Sequence, residues 1–199
     1  MLSSYDHCTR HHKEGMTDNS VLSENQAVPL AANTAPVRPN VKFLLNHPAH
    51  FIALGFGAGL SPFAPGTAGT LWAWLSYLML QRYLAPAELG WLIAGSTLVG
   101  WWACTVTARN LRVADPGSIV WDEVVAFWLV LWLISPASVW AQAAAFVLFR
   151  FFDAAKPGPV AWADRQFKGF GARGGFGILL DDFLAAFCTL LVIALWRFL

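Results

Sequence analysis

Residues 117–136 read GSIVWDEVVAFWLVLWLISP, and this stretch decides the class of fold. Two adjacent carboxylates, Asp122 and Glu123, precede eleven uninterrupted apolar residues, Val124–Ile134, which Ser135-Pro136 follows. The apolar run predicts a hydrophobic helix, and the proline after it predicts a turn. Two carboxylates at the head of a hydrophobic span are costly unless something compensates them. The stretch therefore predicts a membrane-spanning helix and a functional site at its head.

The composition of the whole chain indicates the same class of protein. Of its 199 residues, 57% are hydrophobic and 13% are charged, whereas a soluble domain carries about a quarter charged residues. Eleven tryptophans and fifteen phenylalanines are typical of membrane interfaces. A net charge of +1 offers no basic field to a nucleic acid. Three scattered cysteines without a CxxC motif encode neither a disulfide framework nor a zinc site.

Polarity divides the chain into a flexible polar tail, residues 1–46, and a membrane-embedded domain, residues 47–199. The tail lacks the apolar core of a signal peptide. Residues 51–66 are rich in glycine and proline, which predicts a short helix and a re-entrant or capping loop. The charge-poor stretches that follow predict an all-α bundle of about five short transmembrane helices. We place these helices at residues 67–84, 88–108, 119–135, 137–152 and 183–199.

The distribution of basic residues predicts how this bundle is oriented. With the tail in the cytoplasm, eleven of the thirteen lysines and arginines lie on the inner side, and only Arg82 and Arg197 lie outside. Cytoplasmic loops carry such an excess of positive charge. We therefore predict a multi-pass membrane protein whose polar clusters all face the cytoplasm.

Three of these clusters carry the charged candidates. Ser118 is predicted to cap the helix that carries Asp122 and Glu123 just over one turn inside. Arg150, Asp153 and Lys156 are spaced by three residues, so they share a helix face. Residues 169–182 read GFGARGGFGILLDD, which predicts a glycine-rich loop around Arg173, with Asp181 and Asp182 opening the last span.

The glycine- and proline-rich segment adds weaker candidates. Ser61 and Thr67 have hydroxyl groups for binding a phosphate, although both equally fit as helix caps. Ser118 belongs with them as a phosphate ligand. His50 is a candidate proton donor, but a lone interfacial histidine is more often structural. Irregular backbone at membrane depth lies inside the protein or lines a polar cavity.

Together the clusters have the chemistry of a metal-assisted phosphate site. Clustered carboxylates are ligands that Mg²⁺ prefers, and neighbouring arginine and lysine bind phosphate esters. The set indicates phosphoryl transfer or hydrolysis at a lipid–water interface. Motifs for a cysteinyl-phosphate, a DxDx[TV] nucleophile, a histidine pair and CDP-alcohol phosphotransfer are missing. A small cation transporter or structural subunit remains the alternative, although basic residues beside the acids disfavour cation passage.

Four segments resemble the phosphatidylglycerophosphatase A family in the order that the family has them. They are GAGLSPFAPGTAGTL (57–71), GSIVWDE (117–123), FRFFDAAKPGPV with a following DR (149–165) and GGFGILLDD (174–182). The resemblance implies a Mg²⁺-dependent membrane phosphatase at the cytoplasmic face of the bacterial inner membrane. It implies removal of the terminal phosphate of phosphatidylglycerophosphate to give phosphatidylglycerol, a step toward cardiolipin. Phosphatases of other lipid phosphates remain open.

We assign roles to the candidate residues from their chemistry and from the family resemblance together. Asp122, Glu123, Asp181 and Asp182 are the expected metal ligands, with Asp153 as a fifth or as the residue that orients Arg150. Arg150, Lys156 and Arg173 are expected to bind the phosphomonoester and to offset charge in the transition state. A water on the metal is the expected nucleophile, and Asp122 as a covalent nucleophile is the alternative.

Overall fold

The computed structural model describes residues 36–156, 158, 160 and 171–198. All regular structure within those residues is helical, as predicted. Residues 1–35 of the predicted tail lie outside the described residues. The last residues of the predicted tail, Val41–Asn46, form helix α1. The helices are α1 (Val41–Asn46), α2 (Pro48–Ala53), a 3₁₀ segment (Gly55–Leu60), α3 (Pro65–Leu80), α4 (Pro86–Leu111), α5 (Trp121–Ile134), α6 (Val139–Ala155) and α7 (Ala172–Phe198).

Helix α5 is the centre of the fold. It packs against α3, α4, α6 and α7, and nearly all of its side chains are buried, including Trp121, Phe127 and Trp128. The indole of Trp128 donates a 2.9 Å hydrogen bond to the carbonyl of Ala73 in α3. The predicted hydrophobic helix is confirmed, and a helix that is apolar all round can be buried among its neighbours in this way.

The ends of the helices that flank α5 lie at the two ends of the bundle. α3 and α5 begin, and α6 ends, beside the charged residues, while α4 ends and α7 begins farther out on the same side; we call this side the polar end of the bundle. The turns of residues 81–85 and 135–138 lie at the opposite end. There, Tyr77 near the end of α3 hydrogen-bonds Ser135 after α5, and the Trp132 indole donates to the carbonyl of Pro86. The predicted Ser-Pro-Ala turn after α5 is confirmed.

The irregular segment before α3 has the predicted form of a short helix followed by non-helical backbone. Phe56 and Gly57 take positive φ angles of 58° and 108°. Glycine tolerates this region, whereas a bulky residue such as phenylalanine adopts it only at a cost in strain. The segment is fastened to α5, since the amide of Val120 donates a 2.9 Å hydrogen bond to the carbonyl of Ala53. Gly59 leaves room for the Ser118 carbonyl, against which any Cβ would collide.

Two sequence-based expectations about the helix starts are wrong. Ser118 does not cap α5, which begins at Trp121 after Val120 without a side-chain cap. Asp122 and Glu123 therefore lie in its first turn, where they complement the positive end of the helix. The last helix begins at Ala172 rather than at residue 183, so Asp181 and Asp182 lie about 14 Å along it, at 1.5 Å per residue.

The glycines near Arg173 serve helix packing rather than a loop. Within the described part of this stretch, residues 172–182 are helical. Gly175 faces Thr105 of α4 so closely that a Cβ would overlap the threonine hydroxyl. The loop predicted around Arg173 is therefore wrong for these residues, because glycine permits both flexible loops and close helix contacts.

Two of the described helices are long and apolar enough to cross a membrane, Pro86–Leu111 and Ala172–Arg197. α3, α5 and α6 have 16, 14 and 17 residues. A fully apolar span needs about 20 residues. Helix length therefore does not establish the predicted bundle of five spans.

Candidate active site

The Glu123 carboxylate lies between α5 and the beginning of α3. Its two oxygens face Gly66 and Gly69, two positions at which α3 has no side chain. A Cβ on Gly66 would overlap Glu123 Oε1, and a Cβ on Gly69 would lie 3.1 Å from Oε2. The two glycines, three residues apart on one face of α3, therefore bring that helix directly against the carboxylate.

Arg150 of α6 joins Glu123 to Asp153. Its Nη1 atom donates a 3.0 Å hydrogen bond to Glu123 Oε1 and also pairs with Asp153 Oδ2. The bond to Asp153 follows from the three-residue spacing within α6. One guanidinium nitrogen thus holds two acidic side chains from different helices, and the arginine is fixed in place.

Lys156 links the end of α6 to the middle of α7. It follows the last residue of the helix in a left-handed conformation with φ of 42°, and its Nζ lies 2.6 Å from Asp181 Oδ2. About a third of the Lys156 side chain is exposed, whereas Asp181 is buried. The sequence predicts this row of charges along α6 but not which carboxylate Lys156 meets.

Asp122 and Asp182 are the other two acids of the site. Both are buried, and each interacts electrostatically with the other and with Glu123, Asp153 and Asp181. Asp122 Oδ1, Glu123 Oε2 and Asp182 Oδ2 have no hydrogen-bond partner among the described residues. Buried carboxylate oxygens need a compensating partner, such as a cation or ordered water.

These oxygens have the chemistry of a hard divalent cation site. Aspartate and glutamate oxygens suit Mg²⁺, which keeps part of its water shell and needs only one or two protein carboxylates. Among the described residues, no group of three or more His, Cys, Asp or Glu side chains is arranged so that it could hold a metal ion. The residues fit Mg²⁺ through unpartnered carboxylate oxygens, not through a closed cage of protein ligands.

His50 and Ser61 make their described hydrogen bonds away from the acids. His50 is buried, and its Nδ1 donates to the Phe43 carbonyl at 2.9 Å, so its Nε2 accepts from the Asn110 amide at 2.8 Å. Burial lowers the pKa of His50 below its ordinary value of 6.5, while the Phe43 bond opposes this and His47 adds to it. The Ser61 hydroxyl donates to the Phe63 carbonyl. This geometry favours the structural alternative for His50.

The remaining candidates lie around the cluster. Thr67 is in the first turn of α3, one residue after Gly66, and Ser118 precedes α5 with its carbonyl against Gly59. Arg173 is exposed in the first turn of α7, about 12 Å before Asp181 along the helix. The Arg165 and Lys168 positions of the predicted inner face lie outside the described residues.

Comparison with known proteins identifies the family. A family model described as Phosphatidylglycerophosphatase A matches residues 51–197. The chain belongs to the phosphatidylglycerophosphatase A family. The match spans every candidate site residue except His50. The resemblance in the four sequence motifs is thereby confirmed.

Three similar proteins carry two different names. Phosphatidylglycerophosphatase A of Escherichia coli is 40% identical over 147 residues, 71% of this chain and 78% of that protein. The protein of the same name from Haemophilus influenzae is 39% identical over 155 residues, 78% of this chain and 92% of that protein. A Bacteroides thetaiotaomicron protein, provisionally named a phosphatidylinositol-3-phosphatase, is 38% identical over 73% of this chain and 91% of its own length. No solved structure matches.

Sequence reasoning missed three residues beside the candidate site and one beside His50. Gly66 and Gly69 are not among the predicted site residues, although their GTAG spacing (66–69) is a signal for close helix packing. The Cys104 thiol of α4 is buried and interacts electrostatically with Asp122 and Asp182. Asn110 binds His50. Nothing in the local sequence around Cys104 or Asn110 signals these contacts, because both partners are more than fifteen positions away.

Proposed function

We propose that this protein hydrolyses the terminal phosphomonoester of phosphatidylglycerophosphate, giving phosphatidylglycerol and inorganic phosphate. The observation that carries the proposal is the cluster of Glu123, Arg150, Asp153, Lys156 and Asp181, which unites acids and bases from three helices. The family membership and the names of the Escherichia coli and Haemophilus influenzae relatives support this substrate.

Mg²⁺ is the proposed cofactor. Asp122, Glu123 and Asp182 would hold it through their unpartnered oxygens, with Asp181 beside them. When bound, the ion would neutralise phosphate charge and favour attack at phosphorus. The unpartnered oxygens support this assignment, because the described ion pairs of Arg150 and Lys156 reach Glu123, Asp153 and Asp181 but neither Asp122 nor Asp182.

Arg150 and Lys156 have the role of binding the phosphomonoester. Arg150 is held by Glu123 and Asp153 through Nη1 alone, which leaves Nη2 as a further donor. That atom lies on the side of Gly66, where a Cβ would be 3.0 Å from it. The first amides of a helix have no intrahelical acceptor, so those of Gly66 and Thr67 are also suited to bind an anion. A guanidinium fixed in advance stabilises developing charge without reorganisation.

Water is the proposed nucleophile, and Asp122 as a covalent nucleophile is the alternative. Attack by water forms a bond to phosphorus and breaks the ester bond. The proton of the water passes to a nearby carboxylate and from there to the leaving oxygen, which departs as the lipid hydroxyl. Attack by Asp122 would instead leave a phosphoryl group on the protein. Acid quenching during turnover of radiolabelled substrate distinguishes them: labelled protein supports Asp122, and its absence at every time point supports water.

We further propose that α3, α5 and α6 cross the inner membrane together with α4 and α7, with the polar end in the cytoplasm. The shorter helices are flanked by residues suited to the interface. At the opposite end, exposed aromatic side chains form a belt that comprises Tyr83, Trp91, Trp140 and Trp196. Arg82 and Arg197 are the basic residues at that end within the described chain, whereas the others lie toward the polar end. This asymmetry supports the orientation.

The test is phosphate release by the purified protein in detergent. Phosphatidylglycerophosphate, phosphatidic acid and phosphatidylinositol 3-phosphate are compared, each with Mg²⁺ and with EDTA. Asp122→Asn removes a charge from the cluster, and Asp115→Asn is its matched control because Asp115 is exposed in the preceding loop. We expect release from phosphatidylglycerophosphate that requires Mg²⁺ and is lost only in Asp122→Asn.

Each other result changes a different part of the proposal. Preference for phosphatidylinositol 3-phosphate would move the substrate toward the name of the Bacteroides relative. Full activity in EDTA would overturn the metal. No release by folded protein from any of the three lipids would contradict the proposed reaction and favour a transport or structural role.

A further inference from the structure

Two apolar grooves at the opposite end of the bundle meet at Arg197. One, of about 600 Å³, lies between α6 and α7 and includes Ala144, Val147 and Trp196. The other, of about 440 Å³, lies between α5 and α7 and includes Leu133, Leu190 and Ala194. Both grooves are also lined by Ile134, Ile193 and Arg197. Arg197 is the one charged residue in either lining.

The grooves run along the helices, in the direction of a lipid chain in a bilayer. The lining of the first spans Ala141–Leu148 of α6, and that of the second spans Leu190–Arg197 of α7. Seven residues of helix rise about 10 Å. Each groove therefore extends about 10 Å from the level of Arg197 toward the middle of the bundle. Two parallel apolar grooves with one cation at their common mouth match the two chains and one phosphate of a phospholipid.

Charge selects the kind of headgroup. No acidic residue occurs in residues 124–149 or in residues 183–199, and no ion pair joins Arg197 to a carboxylate of the described chain. A guanidinium binds phosphate oxygens through two donors. A zwitterionic headgroup would bring an ammonium group to grooves that offer no carboxylate. The lining therefore favours a lipid with net negative charge.

We propose that the two grooves hold the acyl chains of one anionic diacyl phospholipid whose phosphate binds Arg197. This lipid is not the substrate in the active site, because Arg197 lies fifteen residues beyond Asp182 on the same helix, or about 22 Å. The inference rests on the proposed membrane location and not on the proposed reaction. A lipid wedged beside α7 would hold that helix against α5 and α6, and so would support the placement of Asp181 and Asp182.

The test measures thermal unfolding of the delipidated protein in detergent with dioleoyl-phosphatidylglycerol or dioleoyl-phosphatidylcholine. A ligand that binds only the folded state raises the unfolding midpoint. We expect phosphatidylglycerol at saturation to raise it by about 5 °C and phosphatidylcholine to raise it far less. Arg197→Gln should abolish the difference. Arg82→Gln, which removes the other basic residue at this end, should keep it.

Groove-filling variants test the acyl-chain part of the proposal. Ala144→Phe and Ala194→Phe place a ring in the first and second groove. Leu195→Phe is the control, because Leu195 is exposed on the same helix and lines neither groove. We expect the first two variants to need at least tenfold more phosphatidylglycerol for half of the full rise in unfolding midpoint. The control should need the same concentration as the wild type.

Two outcomes overturn the inference. One is an unchanged phosphatidylglycerol response in Arg197→Gln, which would assign the effect to the active site or to annular lipid. The other is equal stabilisation by both lipids. Phosphate release from phosphatidylglycerophosphate, assayed separately with the same protein preparations, separates the two proposals: stabilisation by phosphatidylglycerol without hydrolysis contradicts only the proposed reaction, and hydrolysis without that stabilisation contradicts only the lipid site.

Discussion

Gly66 of α3 lies against the carboxylate of Glu123 so closely that a single methyl group would not fit between them. A Cβ there would overlap Oε1 of the glutamate and would lie 3.0 Å from Arg150 Nη2. Gly66→Ala must therefore push α3 away or displace the Glu123–Arg150 pair. Because misplacement of a catalytic group by about 1 Å can cost on the order of 100-fold in rate, we expect phosphate release to fall by at least tenfold.

Gly95→Ala is the matched control for this prediction. Gly95 is also in a helix, and a Cβ there would meet no atom within 4 Å. We expect wild-type activity and a slight gain in stability from the better helix propensity of alanine. Equal activity of Gly66→Ala and Gly95→Ala would show that the contact between α3 and Glu123 does not matter for the reaction.

Removing Arg150 should damage stability as well as catalysis. Arg150→Gln leaves Glu123 and Asp153 without their shared cation. Breaking a buried pair costs about 3–5 kcal/mol, and because a fifth of the Arg150 side chain is exposed we expect about 2 kcal/mol of lost stability. The double variant Arg150→Gln/Asp153→Asn removes one of the stranded charges and should recover part of the unfolding midpoint, but not the activity. If activity returns with stability, Arg150 acts only through folding.

The sequence predicts the chemistry of the site better than its geometry. Asp122 and Glu123 are recognisable because carboxylates at the head of an apolar run need a reason to be there, and the spacing of Arg150, Asp153 and Lys156 places them on one helix face. The start of α7 is not recognisable, since glycine at 174, 175 and 177 is compatible with a loop and with tight helix packing. The pairing of Lys156 with Asp181 and the proximity of Cys104 depend on how distant helices pack, which local patterns do not encode.

The packing of α7 on α4 gives a test of whether residues 172–182 are helical. Gly175→Ala would overlap the Thr105 hydroxyl and shift the helix that carries Asp181 and Asp182. We expect a loss of activity with the protein still folded, and partial recovery in Gly175→Ala/Thr105→Ala, where the obstructing hydroxyl and methyl groups are gone. If residues 172–182 were a flexible loop, Gly175→Ala alone would be harmless.

Metal binding and phosphate binding should separate in steady-state kinetics. Asp182→Asn replaces one of the unpartnered oxygens, so we expect a higher Mg²⁺ concentration for half-maximal activity. Lys156→Gln should instead raise the KM for phosphatidylglycerophosphate, with the Mg²⁺ requirement largely unchanged. Titrating Mg²⁺ at fixed lipid and then lipid at fixed Mg²⁺ measures both effects. An identical change in the two variants would contradict this division of roles.

His50 predicts how stability depends on pH. Burial lowers the pKa of its imidazole below 6.5 in the folded protein, whereas the unfolded chain keeps the ordinary value. Between these two values the unfolded state binds more protons, so His50 makes the protein less stable as the pH falls below about 6.5 and has no such effect above it. Unfolding midpoints of the wild type and of His50→Gln at about pH 5.5 and about pH 7.5 should show a smaller difference in the variant.

Because both ring nitrogens are engaged by Phe43 and Asn110, His50→Gln should retain phosphate release near neutral pH. A folded but inactive His50→Gln protein would instead support His50 as the proton donor.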